Sequence, residues 1–341
     1  MGPSTIRNEW GATLGSGAAT TLAVTDLKDK IENALNEARI LILGGQVLIG
    51  FNYRAFFESG FERLSPISQD LLFIGLTGML MGFGILVAPA PYHRIVEKGK
   101  ISERLHGFTT RAADIGLFAF ALALGADMYF AGEKLGGNTW AAAAGATGFA
   151  VAMIGWYGLE VGWRLMHEGA EGGAPATQRS EKDMRNKDKD RTQQPPLKER
   201  IKEVLIETRM VLPGAQALMG FQFAIMMMDG FDKAPAVSKY IHFASLSAIA
   251  LGTIFLIMPA AFHRIVFQGE DNEEFPGLAG GMLLIALFFM GLGMSGDFLV
   301  VCQKVTGSFT ISAVAAGALL AFFYGLWFGW TGWRRYSPAR D

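Results

Sequence analysis

Residues 27–165 return, shifted by 170 positions and without a gap, as residues 197–335. No other feature constrains the fold as much, because a repeated segment forms the same supersecondary unit twice. The duplication also supplies an internal comparison, since side chains kept in both copies are more constrained than their neighbours. The kept residues include Glu37/Glu207, Arg39/Arg209, Gln46/Gln216, Pro89/Pro259, His93-Arg94/His263-Arg264, Asp127/Asp297 and Trp163-Arg164/Trp333-Arg334. The chain divides into a tail (1–26), a first repeat (27–165), a charged flexible linker (166–196), a second repeat (197–335) and a short tail (336–341).

Within each repeat the charge lies outside long apolar runs. These occupy 40–57, 71–92, 112–131 and 140–163 in the first copy, and 210–228, 240–262, 278–301 and 308–331 in the second. Each is about long enough to cross ~30 Å of hydrocarbon as a helix, which takes ~20 residues. The alternating polarity of membrane strands is absent. The expected fold is therefore an all-α membrane protein with eight transmembrane helices, arranged as two parallel four-helix repeats. An even number of spans per copy makes both copies enter from the same face, so a pseudo-twofold axis along the membrane normal is expected.

Charge sets the orientation. Arg94, Lys98, Lys100, Arg104 and Arg111 lie between the second and third runs, whereas the opposite loops of that copy carry only Arg63 and Lys134. The linker and the C-terminus add many cations to the first side, so the positive-inside rule places both termini and the linker in the cytoplasm. Residues 1–24 lack a basic-then-apolar pattern, so no cleavable signal is expected there. Leu27, Ile31 and Leu35, with Leu197, Ile201 and Leu205 in the second copy, mark an amphipathic helix that lies at the interface or extends each first span. The single cysteine, Cys302, excludes an internal disulfide and a cysteine metal cluster. With a net charge of −1 and no basic stripe, no nucleic-acid partner is expected. The expected partners are the bilayer and other membrane proteins. Phosphate loops, nucleophile elbows and paired-histidine zinc helices are absent, so nothing argues for an enzyme.

Two sets of residues carry possible chemistry. At the cytoplasmic boundary, Glu37, Arg39, His93 and Arg94 fall at one depth on antiparallel neighbours, repeated as Glu207, Arg209, His263 and Arg264. Read as structure, this is an ion network; read as function, a histidine beside a carboxylate gates or relays a proton. A haem between His93 and His263 is a further option, disfavoured by the adjacent arginines, and no cofactor is expected. Near the outer side, Asp127 and Asp297 lie inside apolar runs, where an acid marks a functional site by default. Arg54 is the expected partner of Asp127; for Asp297, Lys233, Lys239, water or a proton. Gln46 and Gln216 join the two aspartates as ion- or proton-binding candidates, or else clamp helices together, as do Asn52 and Gln222.

The pattern Glu-x-Arg, Gln some seven residues on, then Pro-x-x-x-His-Arg-Ile-Val resembles a bacterial family of small four-helix membrane proteins of unknown function. Glu37, Arg39, Gln46, Pro89, His93 and Arg94 match in the first copy, and Glu207, Arg209, Gln216, Pro259, His263 and Arg264 in the second. The resemblance covers both copies, so the chain looks like a fused tandem pair. It implies a bacterial inner-membrane protein. Labels such as sodium:proton antiporter attach to some relatives, which points toward ion transport. The expected function is a proton- or cation-coupled transporter with its pathway between the copies. The alternative is a non-catalytic structural or accessory subunit of a larger membrane complex.

Overall fold

The computed structural model describes residues 40–98, 102–158, 196–267 and 270–336. About 89% is helical, and no strand occurs among the described residues. The first repeat contains α1 (Ile40–Ala55), α2 (Pro66–Val87), α3 (Pro89–Ile95), α4 (Glu103–Gly136) and α5 (Asn138–Met153). The second contains α6 (Leu197–Met226), α7 (Ala236–Ile265), α8 (Phe275–Thr306) and α9 (Phe309–Tyr324).

Six stretches are long and apolar enough to cross a membrane: Pro66–Ile95, Gly107–Gly136, Asn138–Gly158, Ala236–Ile265, Phe275–Thr306 and Phe309–Tyr336. They coincide with six of the eight expected runs. The other two runs are the first helices of each repeat. α1 is described only from Ile40 onward, and α6 carries Pro213, Gln216 and Gln222 in its apolar half. In the second copy the amphipathic segment is the start of α6, continuous with the run that follows. Ile201 and Val204 bury it against Phe275 and Ala279. Its first-copy counterpart, Glu37, Arg39, the tail 1–26 and nearly all of the linker lie outside the described residues.

Local chemistry explains the helix ends. Ser65 accepts a bond from the Ser68 amide, with Pro66 in the first turn of α2. Ser102 and Ser308 cap α4 and α9 in the same way. The α4–α5 and α8–α9 turns pass through Gly137 (φ 76°) and Gly307 (φ 66°), counterparts whose positive φ suits glycine. Pro89 separates α2 from α3, whereas Pro259 sits inside an unbroken α7. The first copy has a second proline there, Pro91, which removes another backbone donor; Ala261 replaces it in α7. Both repeats continue from their fourth helix into a π-turn, Ile154–Gly158 and Gly325–Trp330.

The repeats meet along a seam where α2 packs on α8 and α9. Phe73 stacks on Phe298, with ring centroids 5.4 Å apart, and the Trp327 indole donates to the Gly84 carbonyl at 2.7 Å. Phe323 occupies the space that a Cβ on Gly84 would fill. Close to a twofold, counterparts would be equally enclosed. Instead the windows in Pro66–Ile95 and Phe275–Thr306 are each 61% buried, against 44% and 33% for the counterpart windows in α7 and α4. The cause is visible in the side chains: Gly84 and Trp327 correspond to Ile254 and Tyr157, which cannot make the same contact.

Candidate functional site

Polar side chains gather at the two ends of the bundle. One is the linker end, where α6 begins; the other is the hairpin end, where α4 turns into α5.

At the linker end, α3 presents His93 and Arg94 to the first half of α6. His93 Nδ1 lies 2.5 Å from Glu207 Oε1, and Arg94 Nε donates to Glu207 Oε2 at 2.5 Å. Glu207 is buried, and the stem of Arg94 packs over Gly280, where a Cβ would sit 3.0 Å away. A buried carboxylate is retained only if it is paired; here both partners come from the other repeat. Glu207, expected to meet the His-Arg pair of its own copy, thus meets that of the other. Arg209 and Arg264 are exposed, and His263 packs edge-on against Phe275. No carboxylate among the described residues pairs with His263 or Arg264. Glu37 and Arg39 lie outside those residues. His93 Nδ1 is engaged by Glu207, and no group of three or more metal-ligating side chains occurs among the described residues.

At the hairpin end, bonds tie together α1, α2 and α4 in the first copy and α6, α7 and α8 in the second. In the first copy the Asn52 amide donates to Asp127 Oδ2 at 3.3 Å, and Glu133 accepts from the Ser65 amide at 2.9 Å and from the Ser65 and Ser68 hydroxyls. In the second, Gln222 donates to Asp297 Oδ2 at 2.5 Å and Ser238 donates to Gln303 at 2.7 Å. These are equivalent bonds at equivalent positions. The second copy adds one group: His242, where the first has Leu72. Its Nδ1 lies 2.9 Å from Asp297 Oδ1 and its Nε2 lies 3.1 Å from the Gln222 carbonyl oxygen. Asp297, His242 and Gln222 are all buried, Asp297 to 2% exposure.

The protons of this cluster can be counted. A carbonyl oxygen only accepts, so the bond to Gln222 requires a hydrogen on His242 Nε2. The Nδ1–Asp297 contact then needs one more, on the imidazole as an ion pair or on the carboxyl as a neutral pair. Removing it sets a carboxylate against an imidazole lone pair and breaks the contact. The arrangement therefore holds one exchangeable proton that bridges α7 and α8.

The remaining placements differ from expectation in instructive ways. Arg54 pairs with Glu58 at 2.9 Å, not with Asp127, and Asp297 takes His242 and Gln222 in place of Lys233 or Lys239. Gln46 is buried against Gly214 with both amide atoms unpaired, whereas Gln216 is exposed. Neither glutamine touches an aspartate. A cavity of about 320 Å³ in the first repeat is lined by Phe51, Arg54, Phe61, Leu72 and Phe130, so it borders the position that His242 fills in the second. His242 is not kept in both copies, so duplication does not mark it. The available signal was a histidine replacing leucine inside an otherwise apolar run. Glu133 carries no mark of duplication either, because Gln303 stands in its place in the second copy.

The family described as a family of unknown function, DUF6328, matches twice, at residues 26–160 and 190–331. The chain belongs to that family and carries its domain as a tandem pair. No curated protein and no solved structure matches.

Proposed function

We infer that the protein is an eight-span integral membrane protein of the bacterial inner membrane. Both repeats insert the same way, with the termini and linker in the cytoplasm, and proton binding at Asp297–His242 is coupled to transport of a proton or small cation. The observation that carries this reading is the sealed Asp297–His242–Gln222 cluster. An ionisable pair enclosed inside apolar helices is costly to keep unless it has work to do. Loss of its proton would loosen α7 from α8, which is the kind of two-state element that coupling requires. Contacts such as Lys304 with Glu62, and Glu207 with His93, support a same-way insertion, because each joins equivalent ends of the two copies. The route runs within the second repeat and not along the seam, which Phe73, Phe323 and Trp327 fill.

The second reading, a non-catalytic accessory subunit in a membrane complex, draws on that filled seam and on the Glu207 clamp, features that fix the repeats together. Proteoliposomes loaded with a pH-sensitive dye separate the two. Proton flux in wild type that falls at least tenfold in Asp297→Asn and in His242→Leu supports transport. Absence of flux in a monodisperse wild type, or flux unchanged in both variants, rejects it and leaves the accessory role.

A further inference from the structure

The seam uses only half of the surfaces that a duplicated chain possesses. The first copy presents α1 and α2, and the second meets them with α6, α8 and α9. The equivalent surfaces, α6 and α7 of the second copy and α1, α4 and α5 of the first, stay open. An open apolar face in a bilayer is simply lipid-covered, and apolar contact there drives nothing. A partner is marked instead by specific pairs across the seam whose equivalents stand exposed on the open faces.

Gln46 of the first copy is buried on Gly214 of the second; a Cβ on that glycine would lie 1.6 Å from the amide oxygen. The equivalent pair is Gln216 with Gly44. Both residue types are kept, both positions are exposed, and nothing lies near the space above Gly44. Gly50 receives Phe221, whose ring would meet a Cβ at 2.1 Å. Its equivalent is Gly220 with Phe51: the glycine has open space above it, and the phenylalanine, whose ring touches Phe221 at the seam edge with centroids 4.5 Å apart, is still 52% exposed. Lys304 pairs with Glu62 at 3.3 Å across the seam. The equivalent Lys134 and Asp232 keep the same charges, both exposed, with no carboxylate bonded to Lys134 among the described residues. Phe73, stacked on Phe298, corresponds to Phe243, 58% exposed, and Met128, 39% exposed. An amide facing lipid is the costliest of these, since hydrocarbon offers it no partner.

We propose that the chain assembles with further copies of itself through a repetition of its own seam, Gln216 and Phe243 of one chain docking on Gly44 and Met128 of the next. The contact is heterologous: each chain offers two different surfaces, and association continues until the rotation closes. With both repeats inserted the same way, the axis lies along the bilayer normal and closure gives a ring in the membrane plane. The occupant of the open face is therefore a second copy of this chain, and that holds whether or not the protein transports protons.

Cysteine pairing tests it in the full chain with Cys302→Ala. One chain carries Gly44→Cys and a second carries Gln216→Cys, and the two are co-expressed and oxidised in the membrane. A disulfide-linked two-chain band, absent when either variant is expressed alone, is the expected result. A single chain bearing Gln46→Cys and Gly214→Cys is the control, and it closes internally without change of mass. If the control closes and the co-expressed pair stays at one-chain mass, the proposal is overturned. It is also overturned if Gly44→Cys and Gln216→Cys on one chain react only with each other. Independently, native mass spectrometry of wild type from lipid nanodiscs should give a multiple of the 36.9 kDa chain; a single-chain mass overturns the assembly.

Discussion

Asp127 and Asp297 sit at the same point of two copies of one helical bundle, and their surroundings differ by one decisive residue. Asp127 has Asn52 as its bonded partner, and Leu72, beside a cavity, stands at the position equivalent to His242. Around Asp297 the partners are Gln222 and His242, which complete a bonded triangle. The scaffold bonds, Ser68 to Glu133 and Ser238 to Gln303, are common to both. Duplication thus kept the clasp that aligns three helices and left the acid free to acquire different partners. The acid alone marks a position; the imidazole gives it a proton to share.

The largest expected effect tests the linker end. Glu207→Ala leaves His93 and Arg94 buried without their carboxylate, and breaking a buried pair in this way costs about 3–5 kcal/mol. Arg209→Ala, two residues away and exposed, should cost within about 0.5 kcal/mol. Thermal unfolding in detergent reads both; equal melting temperatures would refute the clamp. Next comes the pair of aspartates. Asp297→Ala strands both an imidazole and an amide, at about 1–3 kcal/mol each. Asp127→Ala forfeits one long bond, worth about 0.5–1.5 kcal/mol. A melting point for Asp127→Ala as low as that for Asp297→Ala would erase the contrast between the repeats.

Grafting sharpens the same comparison. His242→Leu gives the second copy the neighbours of the first: Asp297 keeps its bond to Gln222 and loses the imidazole, a bond to a charged group worth about 1.5–3 kcal/mol. Leu72→His offers Asp127 the partner that Asp297 has, and should shift stability in the opposite direction. Thermal unfolding of the two variants against wild type checks the sign of each change. The smallest effect belongs to the seam. Trp327→Phe loses the bond to the Gly84 carbonyl, about 0.5–1.5 kcal/mol. Tyr157→Phe removes an exposed hydroxyl that donates to the Asp114 carbonyl, and should shift stability by less than about 0.5 kcal/mol.

Much of the architecture was legible from apolar period and duplication. The runs 71–92, 112–131 and 278–301 foretold α2, α4 and α8 to within a few turns, because length against hydrocarbon thickness is a strong physical constraint. α6 was less legible: Gln216, Gln222 and Pro213 dilute its apolar half, and its charged start extends the same helix. The duplicated His-Arg and Glu motifs were legible as a set, but their mates were not. Periodicity places Glu207 and Glu37 at the same depth and is silent on which copy His93 faces; the folded chain brings His93 and Arg94 to Glu207. His242 was the most consequential omission. A comparison that rewards what is kept in both copies is blind to what one copy alone gained. The unequal seam was equally invisible, because it depends on small differences such as Gly84 against Ile254 that leave the apolar pattern unchanged.

The most direct test is infrared difference spectroscopy of the protein in lipid, stepping pH and following the carboxyl and imidazole bands. A paired signal from one carboxyl and one imidazole that vanishes in Asp297→Asn and persists in Asp127→Asn is the predicted result. The same paired signal surviving intact in Asp297→Asn would contradict a proton shared between Asp297 and His242.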